Sequence, residues 1–353
     1  MPNRRDSEAT GRGGSPSGDE SERRSITPDA ERATASGTSF AAPHALPAGL
    51  EDLPWELPHT FLGLDEAAGS FERAAAVVLP VPYESTTSWG GGTRAGPHAI
   101  LEASRYVELY DDELHCEAGV LLGVHTLPAL ELTRAGAAEA MDELQAAYAR
   151  VADVCADRFL VMLGGEHSIS SPAILAQAER HSGRLSVLQL DAHADLRPEY
   201  EGTPASHASA MARVLDRADV VAVGLRGVSQ EEVEVSRAHD GSTLVWAHEM
   251  QEGDTWMDRA LEALGPQVYL TLDVDYFDPS LVPSTGTPEP GGGDWYGTLR
   301  FLRRVFSERE VVAADVVELA PAAGAHAADF LVARLVYKLI TYRLRDRLQP
   351  NLP

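Results

Sequence analysis

The sequence predicts an α/β protein with a mostly parallel sheet of about eight strands. From Ala74 onward, short apolar runs alternate with amphipathic stretches that have the spacing of helices. Most of the apolar runs are continuous rather than alternating, which is typical of strands covered by helices on both faces. Because strands and helices alternate along the chain, we expect a parallel sheet within one α/β domain.

Each predicted strand is an apolar run that ends at a Gly- or Asp-bearing loop. The predicted strands are Ala75–Val81, Gly119–Val124, Phe159–Leu163, Ser186–Leu190, Val220–Gly224, Thr243–Trp246, Val268–Leu272 and Val311–Asp315. The predicted helices include Ala137–Cys155, Pro172–His181, Thr255–Leu264, Tyr296–Ser307 and Ala327–Arg345. Ligands of such sheets bind beyond the carboxyl ends of the strands.

The chain divides into a tail and one folded domain. Residues 1–45 are rich in small and charged residues, and their large apolar side chains are only Met1, Ile26 and Phe40. Such a segment cannot bury enough apolar surface to offset the entropy of ordering it, so we predict disorder there. Residues 46–353 are predicted to form the folded domain.

Composition limits the possible partners and compartments. The 353 residues include 29 basic and 54 acidic side chains, for a net charge of −25. This balance argues against nucleic acid or an anionic membrane surface as the partner. The two cysteines cannot form a disulfide framework, and no apolar run is long enough to span a membrane. Since no secretory signal is apparent either, we expect a cytoplasmic protein.

Four predicted strands end in polar residues that are unsuited to packing. The segments that follow or close these strands are Gly164–Ser168 (GGEHS), Asp191–Asp195 (DAHAD), Asp273–Asp275 (DVD) and Asp315–Glu318 (DVVE). A single Asp-x-Asp at a strand end is usually a turn or a helix cap. Four such segments in one chain are much harder to explain as caps, so we interpret them as parts of one site.

The charge of these segments indicates bound cations. If the strand ends converge, five carboxylates crowd one crevice, and no lysine or arginine lies in the segments to pair with them; the five are Asp191, Asp195, Asp273, Asp275 and Glu318. Buried carboxylates are costly unless they are paired or bind metal. Residues two apart in a strand face the same side. We therefore expect Asp191, His193 and Asp195 to address one centre, and Asp273 and Asp275 likewise.

The donor types narrow the choice of metal. Imidazole and carboxylate ligands without thiolate suit Mn²⁺, Fe²⁺, Ni²⁺ or Zn²⁺, and the excess of carboxylates favours Mn²⁺. Six potential ligands suggest two ions rather than one. Two metals about 3.5–4 Å apart can share a hydroxide and lower its pKa toward neutrality, which is typical of hydrolases.

These motifs resemble the signatures of the ureohydrolase family, which includes arginase and agmatinase. The resemblance extends from about Ala74 to Arg345 and includes GGEHS, DAHAD and Thr271–Asp275, the last with Pro279, Pro283 and Gly292. It implies an arginase-like three-layer α/β/α sandwich with two manganese ions in each subunit, with nickel as an alternative. It also implies a homo-oligomer, either a trimer or a hexamer.

The resemblance also implies a role for each site residue. One ion is held by His167, Asp191, Asp195 and Asp273, and the other by Asp191, His193, Asp273 and Asp275. A bridging hydroxide attacks the carbon of a guanidinium group, and Asp275 helps to orient it. Glu318 holds the guanidinium by paired hydrogen bonds. His207 carries a proton to the leaving amine, although Ala208 follows it here where many relatives have glycine.

The expected substrate is agmatine, a cationic guanidino compound that would yield urea and putrescine in polyamine biosynthesis. The loop Thr285–Gly292 and the segment 80–88 resemble their agmatinase counterparts, and Glu199 and Glu201 favour a substrate without a carboxylate. Arg197 could instead clamp a carboxylate, which leaves guanidinobutyrate and arginine open alongside guanidine itself. A one-zinc deacetylase of the same broad fold and a non-catalytic cation-binding protein are the alternatives from other classes.

Overall fold

The structure, a computed structural model, describes residues 57–348. These residues fall within one compact unit of the chain. The predicted tail, residues 1–45, and the predicted start of the domain at residue 46 lie outside the described residues, so both stay predictions.

Eight strands form a single sheet in which every pairing is parallel within residues 57–348. The strands are β1 Ala76–Val81, β2 Val124–Thr126, β3 Phe159–Gly164, β4 Leu185–Leu190, β5 Ala218–Leu225, β6 Ser242–Trp246, β7 Gln267–Asp273 and β8 Glu310–Val317. Their order across the sheet is β2-β1-β3-β8-β7-β4-β5-β6. The predicted fold class is therefore confirmed.

Helices connect most of the strands and cover the sheet. They are α1 Glu66–Gly69, α2 Gly96–Ser104, α3 Ala118–Leu122, α4 Ala137–Val154, α5 Ser170–Arg180, α6 Gln230–Ala238, α7 Thr255–Ala263, α8 Trp295–Glu308 and α9 His326–Leu348. In the described part of the chain, no helix is long and apolar enough to cross a membrane.

The continuous apolar strands have a structural reason, because successive residues point to opposite faces of the sheet and both faces are buried. Along β1, Ala76 and Val78 pack with α2, α8 and α9 in one apolar cluster. Val77 and Leu79 pack with α4 and α5 in a second cluster on the other face. The sheet is thus the middle of three layers.

One predicted strand is wrong over most of its length. Gly119–Val124 was expected to be extended, but Ala118–Leu122 forms α3, and only the residues from Val124 onward join the sheet as β2. Gly123 ends the helix with a φ of 73°, and its N–H donates to the carbonyl of Gly119. A short apolar run fits a buried helix and a buried strand equally well, so its pattern could not decide between them.

The fold brings four strand ends to one place. β3, β8, β7 and β4 are neighbours in the middle of the sheet, and the four polar segments close or directly follow these strands. Their registers align Leu163 with Val316, Val316 with Leu272 and Leu272 with Leu190. The four carboxyl ends therefore lie side by side along one edge.

Candidate active site

The first group of potential metal ligands surrounds His167, which begins a short 3₁₀ helix after β3. Its Nδ1 atom lies 3.1 Å from Asp191 Oδ2, 2.9 Å from Asp195 Oδ2 and 3.4 Å from Asp273 Oδ2. The ligand atoms of His167, Asp191 and Asp273 all lie within 4.8 Å of one another. This spacing places them within reach of a single cation.

A second group shares Asp191 with the first. His193 Nδ1 lies 2.9 Å from Asp275 Oδ2 and 3.7 Å from Asp191 Oδ1, and the three residues form another set of ligand atoms within 4.8 Å. The two carboxylate oxygens of Asp191 face different groups, Oδ2 toward His167 and Oδ1 toward His193. The arrangement suits two neighbouring cations with Asp191 between them.

Turns, rather than strand alternation, bring the closely spaced residues together. β4 ends before Asp191, and a short 3₁₀ helix begins directly after Asp273. The backbone N–H of His193 donates to Asp191 Oδ1 at 2.6 Å, and that of Asp275 donates to Asp273 Oδ1 at 2.8 Å. Asp195 has a φ of 51°. The predicted convergence of these residues is thus observed, but the strand geometry offered as its reason is wrong.

The carboxylates of the site are buried and outnumber the basic side chains beside them. The exposed fractions are 0% for Asp191, 5% for Asp195, 4% for Asp273, 2% for Asp275 and 7% for Glu318. Within residues 57–348, their ion-pair partners are His167 and His193, without any lysine or arginine. Burial and the neighbouring carboxylates raise the pKa of Asp191 to about 7. Divalent cations would neutralise this excess charge.

Hydrogen bonds behind His167 prepare it as a metal ligand. Its Nε2 lies 2.8 Å from the hydroxyl of Thr271, and that hydroxyl donates to Asp315 Oδ1 at 2.6 Å. Because the Thr271 hydroxyl donates its proton to Asp315, the Thr271 oxygen accepts the Nε2 proton of His167. The Nδ1 atom of His167 then keeps its lone pair. The buried Nδ1 atom faces the oxygens of Asp191, Asp195 and Asp273 at 2.9 to 3.4 Å. A ring nitrogen with a lone pair beside three carboxylate oxygens fits a metal.

Glu318 follows the end of β8, and its side chain reaches His167 of the first ligand group. Its backbone φ is 66°, a conformation uncommon for a residue with a side chain, and its N–H donates to the carbonyl of Gly165 at 2.8 Å. Oε1 accepts the backbone N–H of His167 at 2.6 Å. A side chain at Gly286 would approach the second oxygen, since its Cβ would lie 3.8 Å from Oε2. Because Gly286 has no side chain, the space beside Oε2 stays open.

His207 is held by two hydroxyl groups. Its Nε2 lies 2.9 Å from Ser88 Oγ, and its Nδ1 lies 3.2 Å from Thr86 Oγ1. The Thr86 hydroxyl donates to Glu166, whose buried carboxylate also accepts two backbone N–H groups of the same loop at 2.6 and 2.7 Å. Glu166, in the GGEHS motif, thereby fixes the loop that carries both hydroxyl groups.

A cavity of about 490 Å³ contains the site. Most of the predicted site residues line it, namely His167, His193, Asp195, His207, Asp273, Asp275 and Glu318. Asp191, the remaining one, is completely buried and belongs to both ligand groups. The outer wall includes Arg197, Tyr200, Glu232 and Glu289.

Several supporting residues were missed by sequence reasoning. Arg226 Nη2 donates to the carbonyls of Asp275 at 2.6 Å and Glu289 at 2.9 Å, which ties the metal loop to the outer wall. Gln189 Nε2 donates to Asp191 Oδ2 at 2.8 Å. Neither residue belongs to a recognisable motif. Thr86 and Ser88, by contrast, lie in the agmatinase-like segment 80–88, which was the signal available for them.

The expectation for Glu199 and Glu201 is not supported. Both side chains are exposed and lie outside the lining of the cavity, whereas Tyr200 between them lines it. The backbone of Tyr200 pairs with Thr203 in a tight turn, which leaves the two glutamates on the solvent side. Arg197, the possible carboxylate clamp, has its Nε 3.8 Å from Glu232 Oε2.

Comparison with known proteins identifies the class to which this fold and site belong. The model of the arginase family matches residues 74–341. The chain therefore belongs to the arginase family, and it is a hydrolase that acts on guanidino compounds.

Individual relatives are similar over most of their length. An N(1)-aminopropylagmatine ureohydrolase of Synechocystis sp. is 39% identical over 81% of this chain and 94% of its own. Another of that name, from Thermus thermophilus, is 42% identical over 78% of this chain and 92% of its own. An agmatinase of Bacillus cereus is 34% identical over 71% of this chain and 86% of its own. The crystal structure of the agmatine ureohydrolase of Thermoplasma volcanium has a TM-score of 0.71 at 25% identity, covering 81% of this chain and 94% of that one.

Proposed function

We propose that this enzyme hydrolyses N(1)-aminopropylagmatine to urea and the triamine spermidine, with two Mn²⁺ ions in its site. The observation that carries the proposal is a set of two histidines and five buried carboxylates beside one cavity. The relatives named for this substrate are 39% and 42% identical to the chain, whereas the agmatinase of Bacillus cereus is 34% identical.

Agmatine is the second candidate, and its product with urea would be putrescine. It is favoured by the loop Thr285–Gly292, which resembles the agmatinase form, and by the agmatine ureohydrolase of similar fold. Both candidates carry a guanidinium at one end and an ammonium at the other. They differ by one aminopropyl unit.

The proposed metal ligands are the two groups that share one aspartate, completed by the aspartate beside His167. They are His167, Asp191, His193, Asp195, Asp273 and Asp275. When bound, two divalent cations would polarise the guanidinium and lower the pKa of the attacking water. The predominance of carboxylates favours Mn²⁺, with Ni²⁺ as the alternative.

Glu318 is proposed to bind the guanidinium. A carboxylate and a guanidinium match in shape and charge and form two parallel hydrogen bonds. The backbone N–H of His167 holds Oε1, while Oε2 borders the space beside Gly286. Asp275, with Oδ1 fixed by the N–H of Ala192 at 3.0 Å, is proposed to orient the water.

His207 is proposed to protonate the leaving amine. Water adds to the guanidinium carbon, the bond from that carbon to the polyamine nitrogen breaks, and the nitrogen takes up a proton as it leaves. The Thr86 hydroxyl donates its own proton to Glu166, so its oxygen accepts the Nδ1 proton of His207. Nε2, which lies 2.9 Å from Ser88 Oγ at the cavity, is then the nitrogen that exchanges a proton with the substrate.

Urea release by metal-reconstituted protein tests the proposal. The chelated enzyme would be loaded with Mn²⁺ or Ni²⁺ and offered N(1)-aminopropylagmatine, agmatine, guanidinobutyrate, arginine and guanidine. We expect the highest kcat/KM for N(1)-aminopropylagmatine with Mn²⁺, followed by agmatine. Asp191→Asn should abolish turnover, while the exposed Asp240→Asn should not. Turnover of a carboxylated substrate with none of the cationic ones would refute the proposal.

The assembly is proposed to be a homo-oligomer, a trimer or hexamer, on the family resemblance alone. Light scattering coupled to size-exclusion chromatography would give the mass in solution. A monomeric mass near 37.9 kDa would refute this.

A further inference from the structure

We propose that Glu289 binds the cationic tail of the substrate and so selects guanidino compounds by the charge at their far end. This inference rests on the proposed function and adds the residue that recognises the tail. It is drawn from the position of Glu289, from the way its loop is fixed and from the charges on the cavity wall.

Glu289 lies on the outer wall, next to the second ligand group. A Cβ atom on Gly227 would come within 2.7 Å of His193 Cδ2 and within 3.2 Å of Glu289 Cγ. The Glu289 side chain therefore passes close to the His193 ring, with Gly227 leaving the space between them open. A substrate whose guanidinium lies at Glu318 and the metal ligands would extend its chain along this wall.

The loop that carries Glu289 is fixed relative to the reacting centre. The Nε and Nη2 atoms of Arg226 donate to the Glu289 carbonyl at 3.2 and 2.9 Å. The same guanidinium donates to the carbonyl of Asp275 at 2.6 Å. Because one planar group holds both segments, the distance between Glu289 and the metal ligands is set by the fold rather than by a flexible loop.

Of the two acidic side chains on this outer wall, Glu289 is the one available to bind a ligand. The other outer acid, Glu232, is buried, accepts hydrogen bonds from Ser229 and Leu196 and lies 3.8 Å from Arg197 Nε. In residues 57–348, the half-buried carboxylate of Glu289 has no hydrogen-bond or ion-pair partner. An unpaired carboxylate in a partly enclosed cavity binds an ammonium well and repels a second carboxylate.

The consequence is discrimination by charge. Polyamine-type substrates would gain a charge-assisted hydrogen bond at Glu289, whereas guanidino acids would be repelled by it. Methylguanidine has no tail, so Glu289 would neither attract nor repel it. A hydrogen bond to a charged group corresponds to a change of about 10- to 100-fold in affinity.

The test compares Glu289→Gln with Glu199→Gln, a matched removal of an exposed carboxylate on a neighbouring loop outside the cavity lining. Urea release is measured with N(1)-aminopropylagmatine, agmatine, guanidinobutyrate and methylguanidine. In Glu289→Gln we expect kcat/KM for the two cationic substrates, relative to methylguanidine, to fall about 10- to 100-fold, mainly through KM. The same ratio for guanidinobutyrate should rise, and Glu199→Gln should leave all ratios as in the wild type.

The outcomes separate this inference from the proposed function. If the wild type hydrolyses the cationic substrates and Glu289→Gln keeps its ratios, Glu289 does not bind the tail. If the wild type releases urea from none of the compounds, the proposed function fails, and spermidine binding measured by calorimetry decides the inference instead. Weaker spermidine binding by Glu289→Gln than by the wild type would support it, and equal binding would overturn it.

Discussion

Glu318 reaches the site because its backbone takes a left-handed conformation directly after β8. An extended residue at this point would continue the strand. The turn instead carries the side chain back over His167, whose N–H it accepts, and this contact fixes one carboxylate oxygen while the other borders the cavity. The conformation costs energy at a residue that is not glycine, and such costs cluster at functional sites.

Replacing this carboxylate tests its proposed role. Glu318→Gln keeps the size of the side chain and an oxygen that can accept the N–H of His167, but it loses the charge that pairs with a guanidinium. We expect kcat/KM for urea release to fall by about 100-fold or more while the melting temperature changes little. Glu310→Gln, at the opposite end of the same strand, is the control. An unchanged kcat/KM in Glu318→Gln would show that the guanidinium binds elsewhere.

At the scale of elements, β7 and β8 act together behind the ligands. Thr271 and Asp315 are paired in register across the two strands, and their hydrogen bond directs the proton of His167 to Nε2. Asp315 is completely buried and also accepts the hydroxyl of Tyr269 at 2.7 Å. Each strand thus supplies support within the sheet and a functional group at its end.

Removing the Thr271 hydroxyl should weaken metal binding without touching a ligand. In Thr271→Val, His167 loses the acceptor that directs its proton to Nε2, so Nδ1 is no longer reserved for the metal. We expect Mn²⁺ affinity to fall about 10- to 100-fold, measured by calorimetry. Thr341→Val removes another buried threonine hydroxyl, on α9, and should leave the affinity unchanged. Equal affinities in the two variants would contradict the proposed relay.

Helix α9 is fixed by the single lysine of the chain. Lys338 is 2% exposed, and its Nζ lies 3.0 Å from Asp111, 2.9 Å from Asp112 and 3.4 Å from Glu113. The helix is buried on nearly all sides, so this cation lies between apolar surfaces and an acidic loop. Here lysine has a structural role in the folded domain.

Lys338→Met should destabilise the fold by about 3–5 kcal/mol, because it leaves the completely buried Asp111 without its cation. Denaturant unfolding would measure this, and Asp111→Asn in the same chain should recover part of the loss. The hydrogen bond from Lys338 lowers the pKa of Asp112, so its contribution is present at neutral pH and is lost as pH falls through that lowered pKa. An undiminished stability of Lys338→Met at pH 7 would exclude this role.

At the scale of the whole molecule, protons and metal ions compete for the same carboxylates. Burial raises the pKa of Asp191 to about 7, above its usual value of 3.8. A raised carboxyl pKa means that the metal-free fold binds this proton more tightly than the unfolded chain does. The contribution of this carboxyl to the stability of the metal-free fold is therefore fully present at low pH and is lost as pH rises from 3.8 toward the raised pKa of about 7.

Stabilisation by Mn²⁺ should consequently grow with pH. Ions take the place of the protons above neutrality, whereas acid returns the protons and releases the ions. We expect the increase in melting temperature on adding Mn²⁺ to be several degrees larger at pH 8 than at pH 5.5. Asp191→Asn, which removes the shared ligand, should show little increase at either pH. Equal increases at the two pH values in the wild type would contradict proton competition.

The sequence by itself determined the fold class, the family and the residues that gather at the site. Continuous apolar strands with polar ends predict a parallel sheet, and parallel strands bring those ends to one edge whatever the details of packing. The ambiguity at Gly119–Val124 shows the limit of this reasoning, because a short apolar run carries no period.

Only the tertiary structure decided how the gathered residues face one another. Tight turns, not strand alternation, pair Asp191 with His193 and Asp273 with Asp275. The position of Glu289 on the cavity wall depends on a contact between segments far apart in the chain, because Arg226 holds its backbone carbonyl. The physical reason is that hydrogen-bond partners and burial are properties of three-dimensional neighbours, which the spacing of residues in a sequence does not specify.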